Sequence, residues 1–227
     1  MSSILAFIPA RGGSKRIPGK NIKLFLGKPL IAYSIEYAKK CSEVDKVVVS
    51  TDDTDIKAVS ENYGAEVILR PREISGDFSP TAAAAKHAIE VLEQNNYHPE
   101  IVLTLQPTNP LRRPSILLQA IRIFREENPG ALITVSKNNR KFGVVKDKRF
   151  NAQNYIPGTR SQDLEQLYFE NGLLYLTSSE LIRKGEIFGN DIYPMEVEDI
   201  GGYIDIDEPE EFEVAEIVYN KFKQNYE

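Results

Sequence analysis

What most limits the folds open to this chain is a strict alternation of two kinds of segment. Short aliphatic runs at residues 4–8 (ILAFI), 46–50 (KVVVS) and 66–69 (EVIL) have the length and β-branching of strands buried on both faces. Between them, residues 29–40 carry Leu30, Ile31, Ser34, Ile35 and Ala38 at helical spacing, with lysines at the end where they complement the helix dipole. Residues 56–63 form a second helical stretch, behind Thr51, Asp52 and Asp53 as turn and cap. Strands joined through helices and short connections require right-handed crossovers. The fold class expected is therefore α/β, a mostly parallel sheet flanked by helices on both faces.

The alternation continues. An Ala-rich helix is expected over residues 80–95, started by Pro80 and Thr81, then a strand at 101–105 (IVLTL), a helix at 114–126 and a strand at 131–136 (ALITVS). Between residues 137 and 166 it breaks into turns, scattered aromatics and short alternating runs, which suggests a β-rich excursion from the sheet. The core resumes at 171–176 (NGLLYL). A helix follows at 178–184, then extended pieces at 192–194 and 203–207 (YIDID), and a last helix from 209 to about 222 with acids at its N-terminus. A chain of 227 residues is ample for a buried core and suits one domain over residues 1–227.

Charge is concentrated where it departs from the average. The net charge is -5, yet residues 8–23 (IPARGGSKRIPGKNIK) hold Arg11, Lys15, Arg16, Lys20 and Lys23 and no acid. This stretch directly follows the first strand. Gly12 and Gly13 let backbone N–H groups approach a ligand, and Pro9 and Pro18 stiffen the loop, so a small anion such as phosphate belongs there. It is not a Walker loop: five rather than four residues separate Gly13 from Gly19, and Asn21 stands where a Mg²⁺-binding Ser or Thr would be. An ordinary solvated basic turn is the competing reading. Strand, glycine pair and charge island together favour phosphate.

Two further stretches carry chemistry. Residues 106–112 (QPTNPLR) leave the strand at 101–105, and in an open parallel sheet such a loop lies on the ligand side, here with prolines holding Gln106 and Thr108. In YIDID the side chains alternate, so Asp205 and Asp207 point one way while Ile204 and Ile206 point into the core. Two adjacent carboxylates suit Mg²⁺, completed by water and substrate phosphates. The alternative is Asp207 capping the last helix and Asp205 paired with a lysine.

Composition narrows the classes further. The lone Cys41 excludes an internal disulfide and a thiolate metal cluster, which fits a reducing compartment. No apolar run is long enough to cross a bilayer and no leader pattern opens the chain, so a soluble, cytoplasmic protein without a membrane partner is expected. The acidic balance argues against nucleic acid as a partner. His87 and His98 sit beside no nucleophile in a recognisable pattern, so they are read as structural or solvated.

Taken in order, IPARGGSKRIPGKNIK, VVVSTDD, YGAEVILRP, LQPTNPLR, SQDLEQLYFENGLLYL and YIDID resemble the CMP-sialic acid synthetases, or acylneuraminate cytidylyltransferases, over nearly the whole chain. The resemblance implies a Rossmann-like sheet of the nucleotide-diphospho-sugar transferase type. It implies transfer of CMP from CTP to the anomeric hydroxyl of a nine-carbon α-keto acid sugar, of the N-acetylneuraminate or legionaminate type, with release of pyrophosphate and Mg²⁺ as cofactor. By motif position, Arg11, Lys15 and Lys20 would act on the triphosphate within the Gly12-Gly13 loop. Asn21, Arg70, Ser79, Thr81 and Gln106 would complete the nucleotide contacts. Gln106, Arg160, Gln162 and Tyr175 would face the sugar, with Arg160 also catalytic, and Asp205 and Asp207 would hold the metal. Residues 137–166 would be the arm of a homodimer, completing the partner's sugar pocket. Ser161 and Thr81 depart from the animal members, which carry arginine and serine there. LQPTNPLR looks more like the sialic and legionaminic branches than the pseudaminic one. CMP activation of pseudaminate or of the eight-carbon acid Kdo, and a non-catalytic nucleotide-sugar binding module, are the other readings the motifs leave open.

Overall fold

The computed structural model describes residues 2–76 and 78–226. The strand β1 (Ile4–Pro9) is followed by the two-residue strands β2 (Leu24–Phe25) and β3 (Lys28–Pro29), which pair with each other, and by α1 (Leu30–Lys39). Next come β4 (Lys46–Thr51), α2 (Thr54–Asn62), β5 (Glu66–Leu69), α3 (Thr81–Gln94), β6 (Ile101–Thr104), α4 (Pro114–Glu127) and β7 (Ala131–Asn138). A separate hairpin of β8 (Gly143–Lys146) and β9 (Arg149–Ala152) precedes β10 (Leu167–Ser178), α5 (Ser179–Arg183), β11 (Ile192–Glu196) and α6 (Pro209–Lys221).

Seven strands form one sheet in the order β11, β7, β10, β6, β1, β4, β5. All neighbours are parallel except at β10, which runs antiparallel to both β6 and β7. The chain lays β4 and β5 on one side of β1 and then crosses to place β6 on the other. The strand order therefore reverses between β1 and β6, and the crevice beyond their carboxyl ends is where such sheets bind ligands.

The pleat of β1 explains the layers. Ile4, Ala6 and Ile8 pack with Ile31 and Ile35 of α1, Ile56 of α2 and Ile116, Ala120 and Phe124 of α4. Leu5 and Phe7 face the other way, against Ala84, Ala88 and Ile89 of α3 and Ile182 of α5. A third small core joins Ile17, Phe25, Leu30, Leu111, Ile204, Ile206 and Phe212. It ties the loop after β1, the loop after β6 and the approach to α6 into one unit.

Two expectations are revised. The core strand expected at residues 171–176 begins four residues earlier, at Leu167, and runs through a register shift between Glu170 and Tyr175. Gly172 makes that irregularity possible: its φ is 69°, and a β-carbon there would lie 2.9 Å from Asn109 Oδ1. The last helix is capped at Glu208, not at Asp207. The Glu211 carboxylate takes the N–H groups of Asp207 and Glu208 at 2.6 and 2.7 Å, which leaves the Asp207 side chain to other partners.

Candidate active site

The basic loop is shaped by its own backbone and by the β4 edge. Ala10 N–H donates to the Ser50 carbonyl, prolonging the β1–β4 ladder by one residue, and Lys20 N–H closes a turn onto the Ile17 carbonyl. Gly19 takes a left-handed conformation, φ 64°, which lets Lys20 open a short 3-10 turn. Asn21 is buried and its Nδ2 donates to the Arg11 carbonyl at 3.0 Å, so it holds the loop's shape from inside. Gly12 has a different task from the one its motif suggests. Its N–H is taken by Asp52 Oδ1 at 3.0 Å, and a β-carbon would run into Asp53 Oδ2, so it packs the loop onto the end of β4. Gly13 has open space beside it.

The loop after β6 is held from below by one buried cation. Arg112 is only 2% exposed. Its guanidinium donates to the Leu173 carbonyl, to Ser34 Oγ at 2.9 Å and to the Gln106 carbonyl at 2.5 Å. Burial is the main reason its pKa falls, to about 10, and it stays charged at neutral pH. Asn109, also buried, donates to the carbonyls of Asn171 and Ile204. The Ile206 N–H then reaches the Thr108 carbonyl at 2.9 Å. Residues 204–207 thus run extended alongside this loop instead of pairing as a strand, and the alternation holds: Ile204 and Ile206 are buried while Asp205 and Asp207 face outward.

Here the two ends of the chain meet. Lys20 Nζ donates to Asp207 Oδ1 at 2.8 Å and to the Ile206 carbonyl at 3.0 Å, while Arg16 binds Asp207 Oδ2 at 2.6 Å and Glu208 Oε1 at 2.9 Å. Partial burial raises the Asp207 pKa, but the Lys20 ammonium and the Arg16 guanidinium outweigh it and hold the carboxyl below its ordinary value. Asp205 goes the other way. Burial pushes it up, the Asp207 charge adds to the push, and the Thr108 hydroxyl and Lys20 only partly oppose it. Arg70, whose guanidinium donates to Ser50 Oγ and to the Ser50 carbonyl, is lowered first by burial and then by the nearby charge of Arg11, with Asp52 opposing.

One cavity of about 550 Å³ gathers Arg11, Lys15, Arg16, Lys20, Asn21, Arg70, Phe78, Ser79, Thr81, Gln106, Thr108 and Asp207. A second, of about 660 Å³, is lined by Asn139, Arg140, Phe169, Asn171, Tyr203 and Asp205. Residues 205–207 contribute one carboxylate to each. Tyr175 lies beneath, its phenol receiving a long 3.4 Å hydrogen bond from Gln106 Nε2, and burial raises its pKa to about 12. A smaller cavity of about 320 Å³, lined by Tyr33, Tyr37, Cys41, Arg112 and Tyr219, includes none of residues 8–23 in its described lining.

Not every expected site residue is brought together. Arg160 and Gln162 sit on an exposed turn of residues 161–163, where Arg160 is engaged by Asp163 at 2.6 Å, and neither borders either cavity of its own chain. Gly12 and Gly13 do not line the cavity. Conversely, Arg16, Asp52, Phe78 and Arg112 take part in the site without having been singled out for it. The sequence signal for Arg16 was its membership of the charge island; Asp52 and Arg112 lay inside quoted motifs, and Phe78 had no signal.

Residues 5–226 match the cytidylyltransferase family. This chain belongs to that family. The cytidylyltransferase is a nucleotidyl-transferring enzyme, and the CMP-sialic acid synthetases that its ordered motifs resemble are the group its relatives support. One relative is the pseudaminic acid cytidylyltransferase of Campylobacter jejuni subsp. jejuni serotype O:23/36, 36% identical over 98% of this chain and 97% of that protein. Another is the CMP-N,N'-diacetyllegionaminic acid synthase of Legionella pneumophila subsp. pneumophila, 34% identical over 94% of each. Overall likeness therefore lends no support to the motif-based leaning away from the pseudaminic branch. Among solved structures, a CMP:2-keto-3-deoxy-manno-octonic acid synthetase complexed with CTP matches with a TM-score of 0.71 at 22% identity, over 97% of this chain and 99% of that one. At that identity the match speaks for the fold alone: a mostly parallel, helix-flanked sheet of the nucleotidyltransferase type. Among the described residues no helix is long and apolar enough to cross a membrane.

Proposed function

We propose that this cytidylyltransferase moves CMP from CTP to the anomeric hydroxyl of a nine-carbon α-keto acid sugar and releases pyrophosphate, with pseudaminate, legionaminate and neuraminate as the substrate class. The contact of Lys20 Nζ with Asp207 Oδ1 at 2.8 Å carries the reading, because it joins the cationic loop after β1 to one of the two carboxylates near the other end of the chain. The relatives' names, pseudaminic, legionaminic and N-acylneuraminic, support the sugar class.

The chemistry asks mainly for placed charge. The sugar oxygen bonds to the α-phosphorus, the bond from that phosphorus to the bridging oxygen breaks, and pyrophosphate departs as the hydroxyl loses its proton. Negative charge grows on the non-bridging oxygens and the leaving group, so cations fixed beforehand stabilise the transition state more than the ground state. Arg11, Lys15, Arg16 and Lys20 line the cavity for that task. Among the described residues no cluster of three or more histidine, cysteine or acidic side chains could hold a metal. Asp205 and Asp207, near enough that the charge of the second raises the pKa of the first, are the carboxylates that would hold Mg²⁺. Asp207 would exchange its contacts to Lys20 and Arg16 for the ion, with phosphate oxygens and water completing the shell. When bound there, the ion supplies further neutralisation of the triphosphate.

The cavity lined by Asp205, Asn139, Arg140 and Phe169 suits the sugar acid by its position next to the first. We read the β8–β9 hairpin as the contact of a homodimer, where the arm's Arg160 and Gln162 would serve the neighbouring subunit's sugar pocket. The test is pyrophosphate release from CTP with neuraminate, legionaminate, pseudaminate and Kdo, with and without Mg²⁺. Metal-dependent release with at least one nine-carbon acid is expected. No release with any of the four would overturn the reading in favour of a binding module.

A further inference from the structure

We propose that Phe78 is the platform on which the nucleobase stacks, and so sets affinity for the nucleoside end of the substrate. This rests on the transferase reading above. Phe78 is 99% exposed, yet it borders the phosphate-type cavity. A phenylalanine ring offers roughly 150–250 Å² of apolar surface, and leaving all of it in water forgoes the gain that burial brings. Beside it, Ser79 N–H donates to the Gly76 carbonyl at 3.1 Å, and Pro80 follows with φ at -63°.

The two ends of the cavity differ in character, as do the two ends of a nucleoside triphosphate. Arg11, Lys15, Arg16 and Lys20 come from the loop after β1, and Coulomb attraction assigns the phosphates to them. The other end comes from the segment between β5 and α3. It holds Phe78, Ser79 and Thr81, and the N-cap residue of α3, Pro80, supplies no side-chain cap. A ring face with hydroxyls beside it matches a pyrimidine: a π-face for stacking and a polar edge for hydrogen bonds. Arg70, anchored on Ser50 and close enough to Arg11 to feel its charge, links the two ends.

The experiment compares the full-length wild type with Phe78→Ala and Phe78→Tyr by calorimetric titration of CTP, CMP and inorganic tripolyphosphate. Stacking of one base accounts for about 5- to 150-fold in affinity. Phe78→Ala is expected to weaken CTP and CMP by that factor, to leave tripolyphosphate within twofold, and to raise KM for CTP while kcat at saturation changes little. Phe78→Tyr should keep near wild-type affinity. Because the ring is fully exposed, the melting temperature should not move. The proposal is overturned by Phe78→Ala binding CTP as tightly as wild type, or by tripolyphosphate weakening as much as CTP does. A wild-type protein that binds CTP no better than tripolyphosphate would sink the nucleotide reading itself, and this one with it.

Discussion

Around the crevice, polar side chains are buried and fastened over long stretches of sequence, whereas in the β8–β9 hairpin apolar side chains lie in the open and the polar bonds are local. Arg112 and Asn109 reach carbonyls about 60 to 95 positions away. The hairpin's Val144, Val145 and Phe150 are more than half exposed, and bonds such as Phe142 N–H to Asn154 Oδ1 span a dozen residues. The basic loop and Asp207 meet within one chain. The hairpin's apolar surface is worth keeping only against another surface, which is why the proposed dimer is placed there.

Four measurements would break or sharpen that contrast. The largest effect is expected at Lys20. Lys20→Ala should cut kcat by about 10²- to 10³-fold, as loss of one fixed charge-stabilising donor does, while the fold persists by circular dichroism. Turnover within threefold of wild type would remove Lys20 from the mechanism. Next comes Arg112→Leu, which removes the guanidinium's bonds to the Leu173 and Gln106 carbonyls and to Ser34 and should cost about 3 kcal/mol in denaturant unfolding. A loss under 1 kcal/mol would show that the loop does not need its buried fastening.

The hairpin should respond in the opposite way. Val145→Asp places a charge on the most exposed of its valines and should weaken self-association by about 30-fold in sedimentation velocity, with tripolyphosphate binding and the melting temperature of the isolated subunit unchanged. Altered phosphate affinity would mean that the two regions are coupled after all. The smallest effect is a pH dependence. The Tyr175 phenol titrates at about 12 in the folded chain against an ordinary value of 10.0, so its contribution is full below pH 10 and is lost as pH rises through 12. Tyr175→Phe should flatten the alkaline arm of the stability curve in that window and change stability at pH 7 by about 0.5 kcal/mol. An alkaline arm identical to wild type would mean the phenol is not desolvated as its burial implies.

Much of the sheet could be read in advance, because strands buried on both faces and amphipathic helices write their periods into neighbouring residues. The parity of Ile204, Asp205, Ile206 and Asp207 was legible for the same reason. What could not be read depends on partners far apart in the chain. Nothing near Arg112 announces Leu173, and nothing near Gly12 says that Asp52 will claim its N–H. The reversed direction of β10 and its early start follow from pairing with β7 and β6, not from its own composition. Arg160 and Gln162 illustrate the limit of motif position. The motif resemblance put them in the sugar site, yet within one subunit neither borders a cavity of the site.

The guanidinium under residues 106–112 has an implication for how such an enzyme can change. With the main chain clamped from beneath, the upper side chains Gln106 and Thr108 are exchangeable fittings on an immovable bench. New ligand preferences can arise by swapping those fittings while the main chain that carries them stays where it is.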